Sequence, residues 1–274
     1  MINTDQIKNN LKTSLFGKYI YYFPEIDSTN AYAHRLAHEG APEGTVVLTD
    51  YQTQGKGRLG RDWKSPKNDG ILMSIILRPQ LSIEQVIKIS LASAGIIVET
   101  LERFLRRSKI NALDFNLKWP NDIMVKGKKI AGILAESSLR EKDIVFVIVG
   151  IGININQDLS SLDEEIREKA TSLYIETSQK YDREEIISDL INTYEKTYIN
   201  LERTNYNLVV KEWKQRCNHI GNQMRIKTHS TTESGKFLDV DERGILLYQT
   251  ADGEVKQLIS GTIKSIKAIH GSDD

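Results

Sequence analysis

Two apolar rhythms divide this chain. Residues 18–23, 45–49, 71–77, 130–136 and 144–149 are short runs rich in β-branched, aromatic and small apolar residues, bounded by glycine, proline or polar clusters, and they predict β-strands. The run at 144–149 is apolar throughout, as in a strand buried on both faces, and reads as ending in Gly150-Ile151-Gly152. Elsewhere the spacing changes to three and four. Ile7 and Leu11 mark one short helix within residues 1–16, and residues 31–39 form a second, capped by Ser28 or Thr29 and stopped at Gly40. Ser82 and Gln85 make a capping box ahead of Ile87, Leu91, Ala94, Val98 and Leu101, which predicts a long amphipathic helix lying on a sheet. Asp182 and Glu185 open another helix with Ile187, Leu190, Tyr194 and Tyr198 on one face, and a further helix covers about 208–217. Residues 157–180 are polar, without a period, and are expected to be irregular.

From about residue 222 the texture changes. Five short strand-like runs alternate with turn signals at Ser234-Gly235, Arg243-Gly244, Asp252-Gly253 and Ser260-Gly261, which predicts a small all-β module, a barrel. The expected organisation is a domain over 1–221 followed by this module over 222–274. The expected class is α+β: a mixed, largely antiparallel sheet with a site on one face and helices on the other, plus the small C-terminal barrel.

Candidate chemistry concentrates at breaks in these rhythms. Gln54-Gly55-Lys56-Gly57-Arg58-Leu59-Gly60-Arg61-Asp62-Trp63, between two strands, packs three glycines and three cations into positions 55–61. Glycines let the backbone curl and expose its N–H groups, and arginine adds a planar fork of donors suited to phosphate or carboxylate. The spacing is neither that of a P-loop nor that of a dinucleotide fingerprint, and by itself it fits a solvated turn equally well. Lys118-Trp119-Pro120-Asn121-Asp122 cannot be ordinary strand interior, because proline lacks a ladder donor and Asn-Asp favours turns. Ser28-Thr29-Asn30 caps a helix and is also placed to hold a small polar ligand head, while Asn154 follows Gly-x-Gly at a presumed strand end. His34 and His38 have the spacing of helical zinc ligands, but lacking the H-E-x-x-H glutamate and a third ligand they predict no metal site.

Composition acts mainly by exclusion. With 39% hydrophobic and 27% charged residues the chain looks like an ordinary globular protein. Lys+Arg and Asp+Glu are both 37 in 274 residues, so no global positive field recruits nucleic acid. A single cysteine, Cys217, suits a reducing compartment. The first residues lack the basic and apolar regions of a signal peptide, and no apolar run approaches membrane-spanning length, so the expected location is cytoplasmic.

Taken in order, Glu25–Asn30, the glycine loop 54–61, Lys118–Asp122, Lys128-Lys129-Ile130-Ala131-Gly132-Ile133-Leu134 and Gly150–Asn154 closely resemble the motifs of biotin protein ligases. The resemblance spans about residues 20–155, and the C-terminal module sits where that family carries a Src-homology-like (SH3-like) barrel beside its class II synthetase-like sheet. Larger members add an N-terminal DNA-binding domain, and this chain resembles the monofunctional ligases without one. The resemblance implies ATP, Mg²⁺ and biotin as substrates and cofactors, biotinyl-5′-AMP and pyrophosphate as first products, then transfer of biotin to a lysine of a biotin carboxyl carrier domain. It implies that Ser28, Thr29, Asn30, Gln54, Gly57, Arg58, Lys129 and Gly132 hold biotin. Arg58, Arg61, Trp63, Asn121, Lys129 and Asn154 would hold ATP or the adenylate, and Lys129, Arg58 and Asp122 would act in catalysis. Family members are monomers or side-by-side dimers, and a homodimer is the expectation here.

Two departures from the family pattern stand out. Lys56 replaces a frequent arginine, keeping charge but losing the planar fork, and Thr262 stands where a glutamate often follows the Ser-Gly pair. The nearest alternative is a lipoate or octanoate ligase, against which the glycine loop and Trp-Pro-Asn-Asp argue. A non-catalytic biotin sensor would not need Arg58, Arg61, Lys129 and Asp122 together, and a nucleic-acid binder is disfavoured by zero net charge.

Overall fold

The computed structural model describes residues 1–141, 143–228 and 231–265. Chain order gives α1 (Thr4–Asn10), β1 (Ile20–Phe23), α2 (Thr29–His38), β2 (Val46–Thr49), β3 (Gly70–Leu77) and α3 (Val86–Arg107). There follow β4 (Phe115–Lys118), β5 (Asp122–Val125), β6 (Lys128–Arg140) and β7 (Asp143–Asn154). The seven strands form one sheet in the order β1-β2-β3-β7-β6-β5-β4, with β1 and β2 parallel and every other pair antiparallel. This is the mixed, largely antiparallel sheet expected from the apolar runs.

Side-chain alternation along β7 shows how the sheet makes both a core and a site. Val147, Val149, Ile151 and Ile153 point to one face, where they join the main core with α3 and with α6 (Arg183–Arg203). Phe146 and Ile148 point to the other, where they pack with Val47, Ile76 and Ala33 and Ala37 of α2. Two more residues on that second face, Gly150 and Gly152, carry no side chain at all. The apolar layer under α2 therefore stops, and a hollow opens over the middle of the sheet.

Several expectations change. Helices lie on both faces, because α2 covers part of the face that carries the hollow. Gly150–Gly152 is strand interior, since β7 continues to Asn154 paired with β3 and β6. Residues 157–180 hold two short helices, α4 (Glu164–Lys169) and α5 (Leu173–Thr177). They are too short for an apolar period to register, and Ser172 caps the second by accepting from Ile175 N at 3.1 Å. His34 and His38 stand edge-on to Phe146, with ring centroids 5.1 and 5.0 Å away, as packing groups.

Beyond α6 come α7 (Val209–Lys214) and a second sheet of β8 (Gln223–Lys227), β9 (Thr232–Val240), β10 (Leu246–Gln249), β11 (Val255–Leu258) and β12 (Thr262–Ser265). It is wholly antiparallel, in the order β11-β10-β9-β8-β12. Ser234-Gly235 lies within β9 rather than in a turn; that strand's register with β10 shifts between Leu247 and Tyr248. The β9–β10 turn docks the sheet on the larger domain. The indole N–H of buried Trp119 donates to Gly244 O at 3.0 Å, and Gly244, at φ +92°, lies against Ile87 and Leu91 of α3. Trp119 is thus an inter-sheet anchor.

Candidate active site

The hollow is bounded by four pieces of chain. Its floor is Gly150 and Gly152 of β7 with Gly132 of β6, which face each other across the ladder at Gly132↔Gly152. A Cβ at Gly152 would stand 2.5 Å from the Trp63 ring, and one at Gly150 would strike the Asn30 amide. The floor must be glycine because other groups already lie directly on it.

At one end stands the N-terminus of α2. Ser28 caps the helix by accepting from Ala31 N at 3.5 Å, and Ser28, Thr29 and Asn30 are all buried. Thr29 donates through N and Oγ1 to Gln52 Oε1 at 2.8 and 3.0 Å. Ser74 Oγ, from β3, lies 2.8 Å from Thr29 Oγ1 and 2.6 Å from Asn30 Oδ1, and Asn30 Nδ2 donates to Glu136 Oε2 at 2.6 Å. The groups that face the hollow here are hydroxyls and amides, with the Glu136 carboxylate bonded behind Asn30, a wall suited to a polar but uncharged ligand group.

The opposite end is cationic. Lys129, the second residue of β6, meets Asp122, which opens β5, with Nζ 2.6 Å from Oδ1. Arg58 reaches in from the glycine loop, its Nη1 3.5 Å from Asn121 Oδ1 and 3.4 Å from Gly261 O, and its Nη2 3.4 Å from Ser260 Oγ. Burial works against the Arg58 charge and lowers its pKa, while Asp122 opposes that shift. Asn121 is fixed in turn by donating to Ile133 O at 2.7 Å. Cations held ready against partial burial are what a pair of approaching anions requires.

The loop itself is a tight hairpin. Gly57 N donates to Arg61 O at 2.7 Å and Trp63 N to Gly55 O at 2.9 Å, around a turn in which Leu59 and Gly60 have φ of 58° and 70°. The hairpin lays Trp63 on the glycine floor, with Lys129 Nζ 5.1 Å from its ring centroid. The indole Nε1 is buried without a hydrogen-bond partner. With Trp63 so placed the cavity over the floor is only about 50 Å³, whereas the loop borders a vestibule of about 1050 Å³.

The structure brings together Ser28, Thr29, Asn30, Gly57 and Arg58 around this cavity, with Trp63, Asn121, Lys129 and Gly132 completing it, and Asp122 joins through Lys129. Gln54 and Arg61 are exposed and border the vestibule instead. The glutamine bonded to Thr29 is Gln52, two residues earlier; strand alternation on from β2 was the signal that could have chosen it. Asn154 is turned away, donating to Thr171 O at 2.9 Å and accepting from Gln157 at 3.3 Å. Ser74 and Glu136, plain polar residues inside strand patterns, were not singled out by the sequence. Burial pushes the Cys217 thiol up to about 11, so it offers no thiolate. No group of three or more potential metal ligands occurs among the described residues.

Comparison with known proteins shows the family of the chain. Residues 22–154 match the biotin/lipoate A/B protein ligase family, and residues 219–264 match the biotin protein ligase C-terminal domain. The chain is 36% identical to the bifunctional ligase/repressor BirA of Bacillus spizizenii, over 96% of this chain and 79% of that protein. It is 30% identical to the biotin–[acetyl-CoA-carboxylase] ligase of Mycobacterium tuberculosis, over 80% of this chain and 79% of the relative. Among solved structures, the biotin protein ligase of Aquifex aeolicus in complex with biotin and ATP superposes with a TM-score of 0.73 at 30% identity, covering 90% of this chain and 98% of that one. A glycine-floored hollow with a neutral wall at one end and cations at the other, in a chain with these relatives, belongs to the biotin protein ligases of the biotin/lipoate A/B protein ligase family.

Proposed function

We propose that this protein activates biotin with MgATP to biotinyl-5′-AMP and then transfers the biotinyl group to a lysine of a biotin carboxyl carrier domain. The observation that carries the reading is the polarity of the hollow. A neutral hydrogen-bonding wall from Ser28, Thr29 and Gln52 faces, across bare glycines, a cationic end made by Lys129 and Arg58. Biotin has the same polarity, an uncharged ureido head and a carboxylate tail.

In the first step a carboxylate oxygen attacks the α-phosphorus, the bond from that phosphorus to the bridging oxygen breaks, and pyrophosphate leaves with the electron pair. Two anions must meet, so alignment and charge neutralisation dominate the barrier. In this reading Lys129, at the cationic end, bridges the carboxylate and the α-phosphate, and Arg58 supports the phosphate. Mg²⁺ enters as part of MgATP, bound to its phosphates.

Trp63 covers the floor that the biotin head needs, so ligand entry displaces the indole and with it the glycine loop. The freed ring, with a buried N–H already lacking a partner, is then available to stack on adenine. In the second step the acceptor amine attacks the acyl carbon as its free base and AMP departs. Asp122, held by Lys129, orients that amine or takes its proton.

The test is biotin-dependent exchange of pyrophosphate into ATP, run with biotin, lipoate and octanoate. Exchange with biotin alone is the expected result. Exchange with lipoate or octanoate moves the substrate assignment to the sister branch, and biotin binding without any exchange leaves a sensor and refutes the catalytic roles.

A further inference from the structure

Ligand entry asks two opposite things of one stretch of chain. Trp63 has to leave the glycine floor, while Gln52 has to stay against Thr29 or the neutral wall is lost. Both lie in the excursion between β2 and β3, whose ladder ends at Thr49↔Leu72. We infer that Arg183, the first residue of α6, is a positioning residue for the adenylate reaction: with Asp50 it clamps both legs of this excursion, so that the wall stays fixed while the glycine hairpin moves. The inference rests on the catalytic reading proposed above.

The clamp is a buried ion pair that reaches two places at once. Arg183 Nη2 donates to Asp50 Oδ1 at 2.8 Å, and Nη1 donates to Gly70 O at 3.0 Å. Asp50 begins the excursion and Gly70 ends it. The other carboxylate oxygen of Asp50 accepts from Tyr22 Oη at 2.5 Å and from Ile2 N at 3.3 Å, so both of its oxygens are engaged. The side chains of Arg183 and Asp50 are 7% and 0% exposed, and neither residue lines the cavity or the vestibule. A buried ion pair seldom stabilises a core more than well-packed apolar side chains of similar volume. What apolar side chains could not do is hold two strand ends at a set separation, which the planar fork of arginine does.

Hydrogen bonds along the excursion divide it into fixed legs and a self-contained tip. On the first leg Ile26 N donates to Tyr51 O at 3.1 Å, Thr53 N to Ile26 O at 2.9 Å and Gln54 N to Asp27 O at 2.9 Å. On the second, Gln157 Nε2 donates to Ser65 Oγ at 3.1 Å, Asn68 N to Asp50 O at 3.2 Å and Asn156 N to Asp69 O at 2.8 Å. Between the legs, among the described residues, the backbone bonds of residues 55–63 run within the hairpin, from Gly57 to Arg61, Arg61 to Arg58 and Trp63 to Gly55. The tip therefore swings as a unit, carrying Arg58 and Trp63, without breaking a backbone bond to the rest of the domain. Where it returns to is set by how far apart the legs are held, and Arg183 holds them.

The test uses biotinyl-5′-AMP as the ligand of the full chain and reads its dissociation rate by stopped-flow chase. A merely structural role for the pair would lower the folded fraction, which cuts amplitudes but leaves that rate alone. Arg183→Lys keeps the charge beside Asp50 and gives up the fork, so the fold is retained and one leg is released. It is expected to speed adenylate escape and to slow single-turnover adenylate formation, each about tenfold. Glu195→Gln, on the same helix but bonded to residues 14–16, should leave both rates within about twofold. No change in Arg183→Lys, or an equal change in the two variants, overturns the inference. Amide hydrogen exchange tests it in the wild type without any substitution. Bound adenylate should alter exchange at residues 55–63 and leave residues 51–54 and 68–70 as they were, and equal change in legs and tip overturns the clamp while the catalytic reading stands. Failure to bind biotinyl-5′-AMP at all sinks the catalytic reading and the inference with it.

Discussion

Lys129→Ala probes the centre of the proposed chemistry. The ammonium lies 2.6 Å from Asp122 Oδ1 and 5.1 Å above the Trp63 ring, with its side chain 30% exposed. At an effective dielectric of about 20, a unit charge about 4 Å from an anion is worth roughly 4 kcal/mol before solvation is subtracted. Transition-state donors of this type carry about 2.7–4 kcal/mol, so adenylate formation should slow by about 10²–10³. Ground-state binding of biotin is expected to suffer far less, about tenfold or under, because the proposed seat of its head, Ser28, Thr29 and Gln52, is at the other end of the hollow. The substitution also leaves Asp122 unpaired beside two substrate anions, so Lys129→Ala/Asp122→Asn should recover part of the lost rate. Biotin affinity comes from titration calorimetry and the chemical rate from single-turnover adenylate formation. Equal losses in affinity and rate would show that Lys129 serves ground-state binding, and the transition-state argument would be wrong.

Two other outcomes follow from individual contacts. Gln52→Ala removes the acceptor of both Thr29 donors and should weaken biotin at least about tenfold, whereas Gln54→Ala, on the vestibule, should leave it within about twofold; the reverse order in a calorimetric comparison would contradict the proposed role of the wall. Burial on its own would raise the Glu195 pKa, but backbone N–H donors from Phe16, Ser14 and Leu15 outweigh it and hold the group below its ordinary value. A depressed folded-state pKa contributes stability that is present above the unfolded value of about 4.5 and lost as pH falls through the folded one. Glu195→Gln should therefore cost about 1.5–3 kcal/mol in urea unfolding at pH 7, with the gap closing below about pH 4.5; a gap independent of pH would refute the assignment.

Fold class was legible because it depends on local periods. The Val/Ile runs became strands and the long apolar face at 86–107 became α3, with Gln85 accepting from Ser82 N at 3.1 Å as a capping box should. Short helices α4 and α5 escaped because five or six residues give too little period to read. Gly150-Ile151-Gly152 misled for a different reason. A glycine pair reads as a strand end by propensity, yet here cross-strand pairing to β3 and β6 overrides propensity, and the missing side chains make the floor. The resemblance found most of the hollow's residues, but it placed the biotin glutamine at Gln54 where the geometry selects Gln52, and it put Asn154 on the nucleotide where the structure bonds it to Thr171 and Gln157.

By itself the sequence determined what is encoded in neighbours a few positions apart: element types, the glycine hairpin with its cations, the motif order that marks the family, and a change of texture near residue 222. Tertiary structure alone decided which of those groups meet. That Trp63 lies on the glycine floor, that Asp122 pairs with Lys129 rather than with its cross-strand neighbour Lys118, that Trp119 anchors the second sheet at Gly244, and that Lys118 and Lys264 line one cleft all depend on how the strands pair and the sheets dock. Such contacts are set by strand register and by the docking of two sheets, and neither register nor docking leaves a periodic trace in the chain.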